Sequence, residues 1–276
     1  MPKPTDSQLK CSILLKSSFY PILFPENKTI RFNRLDQVDD LEEGQSECSG
    51  IKIGQYLFVS CWTEDSEESI PLWRMYTDKG VGVRIGIEKD MFKTYTYNDG
   101  DVINGVTMEG EVKTLLSPDM LAMSDLFIFP CFNDGVFYRN IQYVPNLADA
   151  LKNGIIRNSN GSFNFELSKL GAFKNSRWSF QNESRFVLNI YPKPSSISVG
   201  DEIFATWLCS VLNQGIPNTI KYYDLDLDIS ALNTIDITLC PNMSDGNKIL
   251  VESLCKTYLH NVVPKDSTLT NIVNLK

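Results

Sequence analysis

Hydrophobic and polar positions alternate along several short stretches of this chain in the manner of β-strands. Residues 29–35 alternate polar and apolar side chains, which is typical of a half-exposed strand, whereas residues 55–62 form a continuous apolar run of the kind found in the middle of a sheet. The same patterns predict further strands over 81–87, 135–143, 185–191 and 235–239, with the start of another at 94–97.

Helical spacing of apolar residues, together with capping signals, predicts four helices. Ser69 precedes a proline in a first turn, and Ser117, Pro118 and Asp119 form a second start signal. The predicted helices cover 69–76, 117–126, 146–153 and 248–259. We expect a loop or short helix over 36–47 and exposed loops over 64–68, 158–164 and 224–228.

Short strands mixed with scattered helices, without a regular β-α-β period, predict an α+β fold. We expect a mixed, largely antiparallel sheet with flanking helices. No internal repeat or convincing linker divides the sequence, so residues 1–276 are predicted to form a single domain.

The net charge of the chain limits the classes of molecule that it can bind without specificity. Lys and Arg number 26 against 34 Asp and Glu, which gives a net charge of −8 and an isoelectric point near 4.8. Such a surface repels phosphate backbones and anionic lipid, so non-specific nucleic-acid binding is not expected. The early apolar run Ile13–Leu15 is too short for a signal-peptide core or a membrane span, and we expect a cytoplasmic protein without membrane contact.

Histidine and cysteine usage removes several kinds of chemistry. His260 is the single histidine, and its place at a predicted helix end favours a surface residue over a catalytic base. The seven cysteines include no C-x-x-C pair, so the sequence contains no short motif for a zinc or redox site, and we predict no metal. Neither a G-x-S-x-G elbow nor a P-loop is present, which argues against common hydrolases and nucleotide hydrolases.

One group of residues favours a pocket for a planar ring. Ser60 lies in the apolar strand, Trp73 and Tyr76 share the predicted helix that follows, and Gly80 and Gly82 enter the next strand. Together they would allow an aromatic ring to stack. The alternative is that the aromatic residues belong to the core and the glycines only permit close strand packing.

Alternation places Gln181, Glu183 and Arg185 on one side of a strand entrance. A carboxylate beside a permanent cation stays ionised, which suits a group that binds a sugar hydroxyl or faces a developing positive charge. The alternative is a surface ladder in which Glu183 and Arg185 form a weak ion pair. Arg31 and Arg34 could likewise bind phosphate or merely cover a solvated strand face.

The order of these motifs resembles a large bacterial family known only as domain of unknown function 2971. The resemblance spans most of the chain and is most specific in the block Trp178–Arg185. The chain departs from the family pattern at Gln181, where a glutamate is usual, and at Cys240, which replaces a glycine. The other matching segments are Ile30–Glu42, Ser60–Cys61, Trp73–Tyr76 and Gly80–Ile87.

ADP-ribosyltransferases are more distantly similar. They place a basic residue on an early strand, a serine or threonine on a strand, an aromatic helix near the nicotinamide pocket, and a late Gln/Glu-x-Glu at the entrance of a strand. The resemblance implies a split sheet, NAD as co-substrate and no metal. The corresponding residues here are Arg31 or Arg34, Ser60, Trp73, Tyr76, Gln181 and Glu183.

This second resemblance also implies roles. Arg31 or Arg34 would bind the pyrophosphate, Ser60 would orient the ribose, and an aromatic ring, Trp73 or Tyr76, would flank nicotinamide. At the reacting centre, Glu183 would hold the ribose 2′-hydroxyl and stabilise the positive charge that develops as nicotinamide leaves. Gln181 would help to position the acceptor, with Arg177 and Arg185 on the acceptor side.

Three hypotheses follow. The first is an NAD-dependent ADP-ribosyltransferase-like enzyme, a cytosolic toxin or anti-phage effector that modifies a macromolecule and is paired with a neutralising antitoxin or defence partner. The second is a non-enzymatic module that senses a nucleotide or a partner protein. The third, a nuclease, is disfavoured because its metal would need a carboxylate cluster, and the acidic runs predict solvated loops.

Overall fold

One large β-sheet organises the protein. A computed structural model describes residues 10–16, 28–78, 80–122, 125–129, 136–259 and 262–275. Its strands are β1 (Lys10–Lys16), β2 (Thr29–Arg34), β3 (Glu47–Cys48), β4 (Ile51–Lys52), β5 (Leu57–Thr63), β6 (Gly82–Glu88), β7 (Tyr95–Tyr97), β8 (Val102–Ile103), β9 (Val106–Thr107), β10 (Val112–Thr114), β11 (Leu126–Phe129), β12 (Tyr138–Asn140), β13 (Gln142–Val144), β14 (Ile155–Arg157), β15 (Phe163–Phe165), β16 (Phe173–Asn175), β17 (Glu183–Pro192), β18 (Tyr222–Asp226) and β19 (Asp236–Leu239).

The helices are mostly short and lie between strands. Short 3-10 segments add to them, and the one that matters below is Ser176–Gln181, directly before β17. The α-helices are α1 (Leu41–Gly44), α2 (Ile70–Tyr76), α3 (Pro118–Ala122), α4 (Leu147–Leu151), α5 (Ile203–Gln214) and α6 (Asp245–Tyr258).

The main sheet has the strand order β11-β17-β5-β1-β6-β19, and each neighbouring pair is antiparallel. Strand β17 is second in this order and is buried along almost its whole length, including its polar residues Glu183, Ser184, Arg185 and Asn189. A largely antiparallel sheet with flanking helices confirms the predicted α+β class.

The main sheet divides along one edge of β5. Near the start of β5, Phe58 and Val59 pair with strand β2, which in turn pairs with β18. At the end of β5, Thr63 pairs with Ser12 of β1. Between these contacts, residues 60–62 are in register with neither β1 nor β2 among the described residues. The sheet therefore opens into two branches beside the middle of β5.

Two apolar clusters cover the two faces of the central strands. Alternation along β17 sends Phe186 and Leu188 into one cluster and Val187 and Tyr191 into the other. Register pairs Ser60 of β5 with Phe186, so these two side chains share a face. This division decides which candidate residues can meet.

The structure corrects several predicted elements. Residues 224–228 were expected to be a solvated loop, but β18 begins at Tyr222, and Tyr223 and Leu225 alternate into the core. The helix predicted over 117–126 ends at Ala122, and Leu126 opens β11. Residues 158–164, predicted as a loop, include the turn and the start of the second arm of the β14–β15 hairpin.

Other predictions were incomplete. The apolar helix α5 and strand β1 were not predicted, and the strand predicted over 135–143 is divided into β12 and β13. His260, interpreted as a residue at a helix end, lies outside the described residues, as does Gly135. The remaining predicted strands and helices are present with boundaries shifted by a few residues.

Candidate functional site at the start of strand β17

Glu183 is the first residue of β17 and pairs with Thr63, the last residue of β5. The chain reaches it through the 3-10 helix Ser176–Gln181 and then Asn182, which has a φ of 41°. Asparagine tolerates this left-handed conformation, and the Asn182 side chain donates a hydrogen bond to Asp65 over 2.7 Å. A tight turn thus directs Glu183 into the sheet.

Glu183 lies in a buried network of four charged side chains. It is 7% exposed, and its two carboxylate oxygens accept hydrogen bonds from Arg185 Nε and, over 3.1 Å, from Lys174 Nζ. The far end of Arg185 binds both oxygens of Glu43, which is on α1. Arg185 is 1% exposed, so the alternative of a weak ion pair on a surface ladder is wrong.

These contacts keep Glu183 ionised. Burial raises its pKa, but the positive charges of Arg185 and Lys174 outweigh burial and lower the pKa to about 2. Arg185 shows the converse effect, because the attraction of Glu183 and Glu43 overcomes its burial and raises its pKa. Burial raises the pKa of the neighbouring Cys61 thiol, so that group stays protonated at neutral pH.

Lys174 also connects Glu183 to Gln181. Its ammonium group donates to Gln181 Oε1 over 2.7 Å, while Gln181 Nε2 donates to the Tyr76 hydroxyl over 2.8 Å. The amide is therefore held between β16 and helix α2. Three predicted site residues, Gln181, Glu183 and Tyr76, lie together, and Lys174 links two of them. Lys174 is not among the predicted site residues, because a contact between β16 and β17 has no short sequence signal.

Aromatic side chains lie next to this network. The 3-10 helix carries Trp178 and Phe180, whose ring centres are 6.1 Å apart, and Lys174 Nζ lies 4.9 Å from the Trp178 ring centre. Phe180 is 42% exposed and Arg177 is also exposed. Arg177 is therefore accessible to an external molecule. Arg185 is not accessible in this arrangement, because two carboxylates enclose it in the interior.

Ser60 lies on the other face of the sheet. It is in register with Phe186, three positions from Glu183, and an odd number of positions reverses the direction of a strand side chain. Its hydroxyl accepts a hydrogen bond from the Trp62 indole over 2.9 Å. The expected shared site for Ser60 and Glu183 is therefore not formed. The hydroxyl residue of β5 that is in register with Glu183 is Thr63.

Trp73 is an interior residue. Its side chain is 1% exposed, and its indole N–H donates to Glu68 over 2.9 Å. A ring in that position has no open face for a nicotinamide. Tyr76, one turn further along α2, is half-buried and close to Glu183. Of the two aromatic candidates, the structure brings only Tyr76 to Gln181.

Arg31 and Arg34 are engaged in ion pairs. Arg31 binds Asp224 through two hydrogen bonds of 2.9 and 3.0 Å, and its guanidinium lies 3.7 Å from the Tyr222 ring centre. Arg34 binds Asp36 over 2.7 Å and two backbone carbonyl groups. A pyrophosphate would have to displace these carboxylates, so neither arginine is a ready phosphate site in this structure.

The described residues contain no group of three or more potential metal-binding side chains. Within the same part of the chain, no helix has the length and apolar character needed to span a bilayer. Two cavities lie near β8 and α3 rather than beside Glu183.

No protein-family model matches this chain, and no curated protein or solved structure is significantly similar to it. The resemblances to family 2971 and to ADP-ribosyltransferases thus rest on the motifs themselves. The arrangement around Glu183 supplies an ionised carboxylate, a fixed amide and a phenolic hydroxyl at one sheet entrance.

Proposed function

We propose that this protein is an NAD-consuming transferase that moves ADP-ribose to a macromolecular acceptor. The observation that carries the proposal is the ionised Glu183 carboxylate within Gln181-x-Glu183, at the entrance of β17 and beside the branch of the sheet. Breaking the bond between nicotinamide and ribose creates positive charge at the sugar. A fixed negative charge stabilises such a transition state without rearrangement.

The neighbouring residues support a division of roles. Each oxygen of Glu183 accepts one hydrogen bond from a cation, and the Cys61 thiol also donates to this carboxylate. A carboxylate has about four lone-pair positions, so one would remain to accept a ribose hydroxyl. Gln181 would help to position the acceptor, which exposed Arg177 would face, and Tyr76, held by the hydrogen bond from Gln181, would flank nicotinamide. Thr63, which is in register with Glu183, would take the role first expected for Ser60 by exchanging its hydrogen bonds with Asn182 and Asp65 for one with the ribose.

The cellular role and the partners of this transferase are also part of the proposal. The resemblance and the charge of −8 favour a cytosolic toxin or anti-phage effector rather than a protein that binds nucleic acid non-specifically. Such an enzyme would need a neutralising antitoxin or another defence-system partner in its own cell.

The decisive experiment measures nicotinamide release from NAD by the purified protein, with and without cell lysate. We expect Glu183→Gln to reduce release by about 100-fold or more, the range seen when an electrostatic stabiliser of a transition state is removed. Glu43→Gln is the matched control. It removes another buried carboxylate from Arg185 but leaves Glu183 in place, so it should lower stability and preserve release.

Equal release by wild type and Glu183→Gln would refute the catalytic assignment. A second function is favoured by one observation: both Glu183 oxygens are already bound to cations, as in a closed structural network. In that case the protein would be a non-enzymatic module that senses a nucleotide or a partner. It would show thermal stabilisation by NAD or another nucleotide without nicotinamide release.

A further inference from the structure

A second surface lies at the other end of β17. A cavity of about 230 Å³ lies between the β8–β9 hairpin, helix α3 and strand β11, with Ile103, Val106 and Met120 among its mostly apolar walls. A second cavity of about 480 Å³ shares Ile103 with the first and is bordered by Asp101. We call this region, with the adjoining residues 198–203, the hairpin surface.

Apolar side chains extend beyond the cavities onto this surface. Val102 is 67% exposed and Ile203 is 58% exposed, and Val106 is also exposed at the hairpin. The two parts are joined directly, because Gly200 N donates to Asn104 O over 2.9 Å. Clustered apolar exposure beside a cavity is a common property of sites that bind another molecule.

The segments that build the hairpin surface are strongly acidic. Residues 96–128 and 198–203 contain eight carboxylates and one lysine, a net charge of −7, and the adjacent buried Lys193 lies near Asp125 and Asp201. Asp101 borders a cavity, Asp119 lies in α3 beside the wall residue Met120, and Asp201 and Glu202 precede Ile203. The lysine, Lys113, is 3.7 Å from Glu111.

We propose that the hairpin surface docks a basic amphipathic segment of a partner protein. Apolar side chains of the segment would enter the cavity and cover Val102 and Ile203, while lysine or arginine side chains would meet the surrounding carboxylates. Two copies of this chain would bring like charges together, so a second copy is disfavoured as the occupant. The exposed residues extend past the cavities, which fits a polypeptide better than a small molecule.

This proposal is independent of the function proposed for Glu183. Leu126, in a cavity wall, pairs with Pro192, which is nine residues after Glu183 along β17. At about 3.3 Å per residue, the two regions are about 30 Å apart. Binding at the hairpin surface can be tested in a protein that has no transferase activity.

The experiment uses fluorescence anisotropy with the full chain and two synthetic leucine-lysine peptides, one with helical and one with alternating spacing. Their counterparts carry glutamate in place of lysine. We expect one basic peptide to bind, with affinity that falls as salt increases, and no binding of the acidic peptides. Asp101→Lys with Asp119→Lys should weaken binding by at least about tenfold, which corresponds to about 1.4 kcal/mol. Met120→Trp, which would occupy the cavity, should also weaken it.

The matched control is Asp245→Lys with Glu252→Lys, which makes the same change of net charge at exposed positions of α6. The control should leave binding within about twofold if the effect is local rather than global. Equal weakening by both double variants would overturn the proposal, as would equal binding of acidic and basic peptides or no binding of either basic peptide. If the protein self-associates and Val106→Lys abolishes the self-association, the occupant of the hairpin surface is a second copy of this chain and the proposed partner is overturned.

Discussion

Glu183 is both nearly buried and ionised because cations reach it from two different places. Lys174 comes from β16, and Arg185 follows two positions later on β17. Burial alone would raise the pKa of this carboxyl, since water stabilises the charged form better than the interior does. The value of about 2 is therefore a property of the assembled tertiary structure.

This balance predicts how stability depends on pH. Between the ordinary glutamate pKa of 4.5 and the lowered value of about 2, the unfolded chain binds a proton at residue 183 and the folded chain does not. The contribution of the Glu183 ion pairs to the free energy of unfolding is about 3 kcal/mol. It is complete above pH 4.5 and decreases as the pH falls towards 2. Urea unfolding from pH 2 to 5 should show that the wild type is more stable than Glu183→Gln at pH 5 and that this difference in the free energy of unfolding disappears at low pH.

Lys174→Met provides a sharper form of the same test. With one of its two cations gone, Glu183 should have a higher pKa, visible in a ¹³C NMR titration of the glutamate side-chain carboxyls. Lys10→Met is the matched control, because it removes a lysine from a surface ion pair with Asp236. An unchanged Glu183 titration in Lys174→Met would show that Arg185 alone sets its charge.

The individual residues of the site were only partly predictable from the sequence. Alternation places Glu183 and Arg185 on one face, and the structure agrees because the period of a strand is two residues. Burial was not predictable, since it depends on Glu43, which is 142 residues away from Arg185 in the chain. A contact at that separation leaves no local pattern.

At the scale of elements, one short helix brings Glu43 to Arg185. Helix α1 has only four residues, too few to be stable by propensity alone. Asp40 caps it by accepting hydrogen bonds from the backbone N–H groups of Glu42 and Glu43 over 3.1 and 3.2 Å. The position of the Glu43 carboxylate therefore depends on a cap three residues earlier.

We expect Asp40→Ala to lower the free energy of unfolding by about 1–2 kcal/mol, the usual cost of losing an N-cap. Asp40→Asn keeps an oxygen in the capping position and should cost much less. Urea unfolding of both variants measures the difference. Equal destabilisation would mean that the charge of Asp40, rather than its cap, stabilises this region.

The predicted elements differ in how strongly the sequence specifies them. Strand β5 was predicted because it lies in a continuous apolar run, and β17 because Phe186–Leu188 and Ile190–Tyr191 are residue types typical of strands. Helix α5 was not, because apolar residues cover most of its sides and its polar stripe is narrow, formed by Thr206, Ser210 and Asn213. Strand β18 was not predicted because its acidic residues suggested a loop, although Asp224 pairs with Arg31 across the strands.

At the scale of the whole molecule, the main sheet separates residues that the motif order had joined. The sequence order of Ser60, Tyr76 and Glu183 agrees with a single site, but the face of each strand residue depends on register. The pairing of Ser60 with Phe186 and of Thr63 with Glu183 puts Ser60 on the opposite face from Glu183. Register is a tertiary property, which is why motif order did not reveal this separation.

This separation predicts independent energetic effects. Ser60→Ala should be destabilising because it leaves the buried Trp62 indole N–H without its acceptor, and Glu183→Gln should weaken the charged network on the other face. Because the two residues share no partner, the double variant should lose the sum of the two single losses within about 0.5 kcal/mol. Urea unfolding of the four proteins at pH 7 measures the sum.

A second double-mutant cycle, with Lys174→Met and Glu183→Gln, measures a pair of residues that are expected to be coupled. These side chains are 3.1 Å apart and buried, so their losses should depart from additivity by about 1 kcal/mol or more. Coupling of that size between Ser60 and Glu183 would instead mean that the sheet transmits strain between its faces. Additivity at Ser60 together with coupling at Lys174 would restrict the candidate site to one face of the sheet, where Gln181, Tyr76 and Thr63 can be tested as its remaining members.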